Sequence, residues 1–335
     1  MYNLSSQLLE QYPFEVTAIQ KGRGTYICTT SEGGKIIIGS FRGSKGRAEA
    51  LEHVLLRLKE NGIEADEIIH TREGEILAQE VDKTWDYARK YMEGRECETR
   101  SRDDVLAAVE ELAKLHLVLQ KVEDENLKIG GQDYAMEAFR HNRELKKVRN
   151  YIHGKHKKNE FEMIFMRNYE IFLKQALDVE HRLMKPNPGE TQGQSGKQSR
   201  EAAMYGICHG DFNQHNVLFT HGKIIITNFE QAHYDVLVGD LAHFLRKLME
   251  KHNFNIGLAT DMLAAYEKRR KLLPEEWEQL YVRMAYPQKF WKVANHYFNA
   301  NKAWVSGRDI EKLNRVIEQE EIRQQFLRML FYFVE

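Results

Sequence analysis

Apolar and polar residues alternate in short segments over the first part of the chain, up to about residue 92. The segments FEVTAI, TYICTT and KIIIGSF have the two-residue period of β-strands, and the stretches KGRG and SEGG between them are rich in turn-forming residues. A helical period follows from residue 44 to residue 61, and Gly62 is placed to end that helix. Its apolar face is formed by Ala48, Leu51, Leu55 and Leu58. With further strands at EIIHT, EILAQ and TWDYARKYM, this part is predicted to form a small antiparallel sheet with one helix.

After EGRE the hydrophobic pattern becomes helical and stays so for most of the remaining chain. Residues 103–119 are predicted to form an amphipathic helix, and a pair of helices is predicted within residues 132–184. The stretch 185–201 is rich in Gly, Ser, Gln and Pro and is predicted to be a mobile loop. We therefore predict an α+β protein with two lobes, a small lobe of residues 1–92 and a large helical lobe of residues 93–335.

Composition limits the classes of partner. The 335 residues are 42% hydrophobic, which suffices for a buried core, and the formal net charge is −1. So small a net charge gives no overall field that would favour nucleic acid or a membrane surface. The first residues lack the pattern of a secretory signal, and no segment approaches the roughly 20 apolar residues of a membrane span. The three cysteines are widely spaced, and an intracellular, cytoplasmic protein is expected.

The candidate chemistry lies in a catalytic-loop hairpin predicted for residues 207–230, which contains HGDFNQHNVLFTHGKIIITNFE. Asp211 precedes Asn216 by five positions, and two short apolar strands then lead back to Asn228 and Glu230. Phosphoryl transfer needs a carboxylate that orients or deprotonates the acceptor hydroxyl, and an oxygen ligand for a metal ion. Asp211 and Asn216 fit these two roles, and the hairpin would bring Asn228 and Glu230 beside them. The alternative is that HGD and NFE are only polar loop ends.

The spacing HGDxxxxN resembles that of the aminoglycoside phosphotransferases and choline kinases, which have a protein-kinase-like fold. Within that superfamily the chain is similar to the CotS family of spore coat proteins, in KGRGTYICTT, SFRGS, EGRE, HGDFNQHNV and FWKVANHYFNANKAWVSGRDIEKL. The resemblance implies that Asp211 is the catalytic base and that Asn216 is a metal-binding amide. It also implies ATP and Mg²⁺ as cofactors, a small-molecule hydroxyl as acceptor, and a spore setting.

The resemblance also assigns candidate nucleotide contacts. Gly22 and Gly24 of KGRG would cover the phosphates, although a lone GxG equally fits a plain turn. The adenine would meet backbone groups between Tyr91 and Gly94, with Met92 among them, because the lobes join there in this fold.

Three further polar residues are predicted to have structural roles. His116 lies on the apolar stripe of its predicted helix and should be a satisfied core histidine rather than a ligand. His209 is predicted to brace the catalytic loop. Asp240, in GDLAHFLRK, resembles the buried Asp that supports this loop in the superfamily, and the alternative is an ordinary helix N-cap.

Two positions depart from the superfamily pattern. Asn228 stands where a metal-binding Asp is expected, and Gly39 stands where a phosphate-binding Lys is expected. The loss of one unit charge at ~4 Å and an effective dielectric of ~20 removes up to about 4 kcal/mol of attraction for Mg²⁺. Glu230 is a candidate replacement ligand, but it equally fits a turn residue paired with a nearby Arg or Lys. Without the Lys, its usual helical partner, Glu49 or Glu52, is predicted to be solvated.

The preferred functional prediction is a CotS-like, spore-coat-associated pseudokinase that binds a small-molecule ligand or spore coat proteins. The candidate metal residues are Asn216, Asn228 and Glu230, and any binding of ATP and Mg²⁺ is expected to be weak. The alternative is an active ATP-dependent small-molecule kinase that uses Asp211 as its base. Neither nucleic acid nor a membrane is expected as a partner, and the protein would reside in the cytoplasm or the spore coat.

Overall fold

The computed structural model describes residues 4–120, 129–131, 133–184, 203–300 and 307–334. Two compact units are present. The first comprises Met1–Gly131, Tyr205–Asp240 and Ala265–Arg270, and the second comprises Gln132–Met204, Leu241–Ala264 and Lys271–Glu335. The catalytic-loop hairpin thus belongs to the same unit as the small sheet. The lobe boundary expected between residues 92 and 93 lies inside the first unit, and it stays a prediction.

The small sheet of the first unit follows from the alternation in the sequence. Its region contains β1 (Val16–Lys21), β2 (Tyr26–Thr30), β3 (Lys35–Phe41), β4 (Glu64–Ala65), β5 (Ile68–Ile69), β6 (Leu77–Gln79) and β7 (Trp85–Lys90). The sheet order is β1-β2-β3-β7-β5, with β6 also on β7, and the pairs are antiparallel. A short helix α1, Ser6–Glu10, packs on one face of the sheet. The apolar cluster on that face consists of Leu8, Tyr12, Cys28, Ile36, Ile38, Ala78 and Ala88.

The opposite face of β3 and β7 carries the side chains that bear on the candidate site. Gly39 pairs with Tyr87, and Ile37 pairs with Arg89. Because side chains alternate along a strand, these four positions face away from the apolar cluster. Tyr87 is 3% exposed and Arg89 is 5% exposed.

Helix α2, Lys45–Glu60, confirms the first predicted helix. The Ser44 side chain accepts a hydrogen bond from a backbone N–H of its first turn, and Gly62 adopts a φ of 75° just beyond its end. Glu49 is exposed, as predicted, whereas Glu52 lies 2.8 Å from His70. The prediction that Glu52 is merely solvated is therefore wrong, because a histidine on the neighbouring segment takes the place of the missing lysine as its partner.

A second set of strands holds the hairpin in the first unit. It contains β8 (Arg95–Glu96), β9 (Tyr205–Cys208), β10 (Val217–Thr220), β11 (Lys223–Ile226) and β12 (His233–Val236). One sheet has the order β4-β11-β10-β8, with β4 parallel to β11, and β9 pairs with β12. The helix predicted over residues 103–119 is present as α3, Arg102–Leu119. The two-residue strands β4 and β8 were not predicted, because so short a segment has no measurable period.

The second unit is helical. The predicted helical pair is confirmed as α4 (Tyr134–His153) and α5 (Glu160–Leu183). The later helices are α6 (Val238–Lys251), which begins in the first unit, α7 (Ile256–Glu267), α8 (Pro274–Ala285), α9 (Gln288–Asn299), α10 (Gly307–Glu318) and α11 (Glu320–Phe331). Phe290 of α9 stacks on Phe165 and Phe172 of α5 in their core. The loop predicted at 185–201 lies outside the described residues. Within the described ranges, no helix is both long and apolar enough to span a membrane.

Candidate active site

The loop after β9 brings Asp211 and Asn216 together. The Asn216 side-chain Nδ2 donates to the backbone oxygen of Asp211 at 2.8 Å and to its carboxylate Oδ2 at 3.3 Å. Asn216 is buried and Asp211 is half-buried. Since the amide nitrogen holds Asp211, the amide oxygen of Asn216 points its lone pairs elsewhere and remains suitable as a cation ligand. The contact agrees with the spacing, and the catalytic and metal roles stay predictions.

A buried carboxylate, Asp240, fixes the backbone of this loop. Its Oδ2 accepts the backbone N–H of His209 at 2.6 Å, and its Oδ1 accepts that of Gly210 at 2.9 Å. His116 Nε2 lies 3.3 Å from Asp240 Oδ2, and His116 Nδ1 lies 2.7 Å from the hydroxyl of Tyr266. The predicted support of the loop by Asp240 is confirmed. The N-cap alternative is wrong, because the side chain binds loop N–H groups from inside the first turn of α6.

The charge states in this cluster follow from burial and hydrogen bonding. Burial alone would raise the pKa of Asp240, but the hydrogen bonds that it accepts from His116 and from the Gly210 N–H lower it to about 2. Burial lowers the pKa of His116, so its ring is neutral near pH 7. A neutral ring donates from Nε2 to Asp240 and accepts at Nδ1 from Tyr266. The prediction of a satisfied core histidine at position 116 is confirmed.

His209 braces the loop, as predicted. Its Nδ1 accepts the backbone N–H of Asp211 at 3.1 Å, and its Nε2 lies 3.0 Å from the carbonyl oxygen of Thr227. The imidazole therefore links the loop that carries Asp211 to the strand end that precedes Asn228.

Asn228 follows β11 with left-handed backbone angles, φ 71° and ψ 57°. Asparagine and aspartate adopt this region more readily than most residues. The backbone N–H of Asn228 donates to the carboxylate of Asp66, and its side-chain Oδ1 accepts from Arg89 Nη2 at 3.3 Å. Because Asp66 already brings a negative charge to the backbone of residue 228, an uncharged amide there avoids a second carboxylate beside the first.

Arg89 of β7 supplies the cation of this cluster. Its Nη1 lies 2.9 Å from Asp66 Oδ2, and the two side chains are only 6% and 5% exposed. Burial alone would lower the pKa of Arg89, but the charge of Asp66 outweighs it and raises the pKa, so the guanidinium is charged. A metal ion at the Asn228 amide oxygen would therefore face a fixed positive charge.

Thr25 closes the space beside Gly39, the position at which the resemblance predicts a lysine. A Cβ atom at Gly39 would lie 2.9 Å from Thr25 Cγ2, closer than real side chains approach. On the neighbouring strand, the hydroxyl of Tyr87 donates to Glu230 Oε1 at 2.7 Å. Burial raises the pKa of Tyr87 well above its ordinary value, so the hydroxyl remains a donor.

Glu230 lies in a single 3₁₀ turn, Phe229–Gln231, and is held at two points. Its carboxylate accepts from Tyr87, and its backbone oxygen accepts from Arg47 Nη2 at 3.0 Å. Arg47 donates further to the backbone oxygens of Ala232, at 2.8 Å, and Ile129. Among the described residues, the Glu230 carboxylate forms no ion pair with Lys or Arg and no hydrogen bond to the Asp211 loop. Its partner is thus a tyrosine, which neither alternative anticipated, and its other oxygen stays available.

The KGRG segment forms a tight turn. Gly22 donates its N–H to the carbonyl oxygen of the third residue beyond it at 2.8 Å, and Gly24 has a φ of 74°. Arg23 lies 2.6 Å from Glu96, which in turn lies 2.5 Å from His215 of the catalytic loop. Exposed ion pairs of this kind contribute about 0–1 kcal/mol, so they hold the turn weakly. The nucleotide contacts proposed for Gly22 and Gly24 stay predictions.

The segment after β7, expected to meet adenine, runs close to the hairpin. Tyr91 and Met92 are half-buried and Gly94 is exposed. The Tyr91 ring lies under the ammonium of Lys35, 5.5 Å from its centroid. A Cβ atom at Gly94 would lie 3.0 Å from the Cβ of Leu218, so glycine permits the close passage along β10. The adenine contacts stay predictions.

The residues present fit only part of a magnesium site. Asn216 offers an amide oxygen beside the Asp211 carboxylate, whereas Asn228 and Glu230 are engaged by an arginine and a tyrosine. In the described part of the chain, no three His, Cys, Asp or Glu side chains are grouped closely enough to hold a metal ion. Mg²⁺ bound to a triphosphate is usually held by one or two carboxylates, the phosphates and waters, and the carboxylate groups present here are that of Asp211 and the second oxygen of Glu230. We therefore assign no transfer step to the site.

Sequence reasoning missed Arg47, Asp66, Tyr87 and Arg89. Tyr87 and Arg89 lie two positions apart in a predicted strand, so their common face and polarity were a readable signal. The sequence around Asp66 and Arg47 contained no such signal, because their partners are distant in sequence and because charged residues are ordinary in a loop and on a helix surface.

These features define a protein with the aminoglycoside phosphotransferase-like variant of the protein-kinase-like fold. The structure matches that of an aminoglycoside phosphotransferase from Alicyclobacillus acidocaldarius with a TM-score of 0.83 and 17% identity, covering 100% of this chain and 97% of the other. It matches the amicoumacin kinase hAmiN, in complex with AMP-PNP, Ca²⁺ and Ami, with a TM-score of 0.66 and 13% identity, covering 94% and 90%. At such identities the likeness shows the fold alone.

The chain belongs to the family described as spore coat putative kinase YutH, which it matches over residues 5–330. A curated relative, spore coat protein S of Bacillus subtilis strain 168, is 26% identical over 124 residues. The match covers 36% of this chain and 35% of the relative, so the chain spans about a third of that protein's length. The predicted fold and the predicted CotS-like membership are confirmed.

Proposed function

We propose that the protein is a spore-coat-associated member of this family whose phosphotransferase-like site is impaired, and that it acts by binding a small-molecule ligand or a coat protein. One observation carries the proposal. The amide oxygen of Asn228, which would face a metal ion, accepts a hydrogen bond from the guanidinium of Arg89, with Nη2 and Oδ1 3.3 Å apart. The family description and the likeness to spore coat protein S support the spore setting.

The charges around Asn228 support this proposal. Arg89 and Asp66 form a buried pair, so their unit charges largely cancel and position 228 offers no net attraction to Mg²⁺. Removal of Arg89 from the pair would leave the Asp66 carboxylate without its ion-pair partner, and that side chain is only 5% exposed. Breaking a buried pair in this way typically costs about 3–5 kcal/mol, so a weakly bound cation does not displace the guanidinium.

The phosphate-binding side of the site supports the same conclusion. Thr25 lies against Gly39, where a lysine would otherwise extend, and the carbonyl oxygens around Arg47 occupy its donors. If no Lys or Arg side chain pairs with the phosphates, the negative charge of a bound triphosphate is not compensated and its binding is weaker. The loop around Asp211 is nevertheless well supported, so a ligand with a hydroxyl group can still donate a hydrogen bond to the Asp211 carboxylate.

A gain-of-binding experiment tests the charge argument. In Asn228→Asp/Arg89→Met, the carboxylates of residues 66 and 228 lie side by side without the guanidinium, and two adjacent carboxylates favour a divalent cation. Titration with Mn²⁺ or Mg²⁺ alone should show a dissociation constant at least tenfold lower than for the wild type. Asn228→Asp by itself should show little gain in cation affinity, because the guanidinium of Arg89 pairs with the new carboxylate.

Arg89→Met alone is the matched control, since it removes the same guanidinium but keeps the amide. It should gain less cation affinity than the double variant. Strong divalent-cation binding by the unmodified protein, or an equal gain in all three variants, would contradict the proposal.

A second candidate function is an active ATP-dependent small-molecule phosphotransferase. The contact of Asn216 with Asp211 and the available second oxygen of Glu230 favour it, and hAmiN, which has the same fold, was captured with AMP-PNP and Ca²⁺. In this case Asp211→Asn abolishes a slow, Mg²⁺-dependent release of ADP, whereas Asp103→Asn, the same change at an exposed position on α3, retains turnover. Equal ADP release by the wild type and Asp211→Asn excludes this candidate.

A further inference from the structure

The second unit contains a pocket that none of the candidate catalytic residues lines. It opens between α5, α6, α9, α10 and α11 and encloses about 440 Å³ of empty volume, including its mouth. Aromatic side chains form much of its wall, namely Phe172, Phe254, Tyr286 and Phe290. Small-molecule sites in proteins commonly have this mixture of aromatic walls with a few polar groups.

Three cations and two carboxylates line the same pocket, which leaves one positive charge in excess. Lys289 lies 3.1 Å from Glu250, and Arg323 lies 3.2 Å from Glu320. Arg323 also donates to the backbone oxygens of residues 284 and 285 at the end of α8, at 3.3 Å and 2.5 Å. The carboxylates and the nearby carbonyl oxygens are thus committed to these two cations.

The third cation, Arg246 of α6, is different. It is half-buried, its Nε is shielded from solvent, and its guanidinium has no hydrogen bond or ion pair within the described ranges. An arginine carries five N–H donors, and a shielded donor without an acceptor destabilises the folded protein. Natural proteins retain such a group where an acceptor joins the structure.

The positive charge of Arg246 lowers the pKa of two neighbouring groups. The pKa of His141 is lowered to about 4, by burial first and then by the positive charges of Arg140, Lys292 and Arg246. The pKa of Lys292 is lowered by burial and by Arg246, against an opposing effect of Glu250. An anion in the pocket would relieve this repulsion, so the field as well as the hydrogen bonding favours one.

We propose that this pocket binds a small organic carboxylate with an apolar or aromatic body, and that Arg246 pairs with the carboxylate. The body of the ligand contacts the aromatic wall, and the planar guanidinium offers two parallel N–H groups to the carboxylate oxygens. This site is independent of the function proposed above, because its lining residues all belong to the second unit and the candidate catalytic residues belong to the first.

Benzoate and its uncharged analogue benzamide test the proposal, with inorganic phosphate as a second anion. At about 10 mM ligand, benzoate should raise the melting temperature of the wild type by linkage, and benzamide and phosphate should raise it far less. Arg246→Gln should weaken benzoate binding at least tenfold. Arg143→Gln is the matched control, because it removes the same charge from an exposed position on α4 and should leave binding unchanged.

The ligand-free variants provide a second readout. If Arg246 has no partner until an anion binds, Arg246→Gln removes an unsatisfied charge. The melting temperature of the unliganded variant should then be at least as high as that of the wild type. The proposal is overturned if benzoate and benzamide act alike, if neither binds, if phosphate alone binds, if Arg246→Gln binds benzoate as the wild type does, or if the unliganded variant melts several degrees lower.

Discussion

Replacement of Asp66 by asparagine is the sharpest test of the contact network that engages Asn228. Asp66 sits between the short strands β4 and β5, pairs with Arg89 at 2.9 Å, and accepts the backbone N–H of Asn228. Asp66→Asn is nearly isosteric, so the packing stays the same while the negative charge disappears. Arg89 is then left as a buried cation, and the backbone of residue 228 loses its charged acceptor.

The expected loss of unfolding free energy follows from burial. Both side chains are less than a tenth exposed, at 6% for Arg89 and 5% for Asp66, so solvent cannot replace the lost partner. Removing one member of such a pair destabilises a protein by about 3–5 kcal/mol. In the double variant Asp66→Asn/Arg89→Met no charge is left unpaired, and we expect its loss to be smaller than the sum of the two single losses by about 1–3 kcal/mol.

Urea denaturation of the single and double variants gives these free energies. The exposed pair of Lys223 with Glu64 is the control, because its distance of 2.6 Å is similar but its side chains are 66% and 49% exposed. Lys223→Met should therefore cost at most about 1 kcal/mol. If Asp66→Asn is no more destabilising than Lys223→Met, or if the double variant shows no coupling, the buried network described here is refuted.

Three further predictions concern single positions. Asp240 has a pKa lowered to about 2, so it stabilises the fold above its ordinary pKa and loses that effect as the pH falls through the lowered value. The advantage of the wild type over Asp240→Asn, about 2 kcal/mol at pH 7, should therefore shrink progressively from about pH 5 down to about pH 2 in urea titrations. Burial, and then the charge of a nearby glutamate, raise the pKa of Asp86 to about 6, so its ionisation opposes folding as the pH rises through that value. In urea denaturation, Asp86→Asn should therefore be more stable than the wild type by about 1 kcal/mol at pH 7, and this difference should disappear below pH 4. Gly39→Lys alone should destabilise the protein, because its Cβ atom would lie 2.9 Å from Thr25 Cγ2. The double variant Thr25→Ser/Gly39→Lys lacks that methyl group, so it should fold and bind ATP at least tenfold more tightly than the wild type in fluorescence titrations. Unchanged ATP affinity in the folded double variant would count against the alignment of Gly39 with the lysine position.

The parts of the site that were predictable are those set by local sequence. The spacing from Asp211 to Asn216 is fixed by one loop, and the contact of their side chains follows from it. The long strand β3 and the amphipathic helix α3 were predictable for the same reason, because each has a period that repeats several times. Local rules therefore locate the catalytic loop and most of the elements around it.

The unpredictable parts depend on contacts between distant segments. The pair of Asp66 with Arg89 joins the link between β4 and β5 to β7, and the hydrogen bond of Arg89 to Asn228 spans 139 positions. Glu230 was expected to bind a metal or a basic side chain, yet it accepts from Tyr87, 143 positions away. No local pattern selects one such partner among many polar residues, and the register of the sheet decides it.

Isothermal titration of the unmodified protein with ATP, in the presence and absence of Mg²⁺, tests the central claim most directly. If the guanidinium of Arg89 is hydrogen-bonded to the side-chain oxygen of Asn228 and no lysine contacts the phosphates, Mg²⁺ will not strengthen ATP binding. The dissociation constant for ATP will then be about 1 mM or weaker in both conditions. A micromolar dissociation constant that appears only with Mg²⁺ would contradict the account.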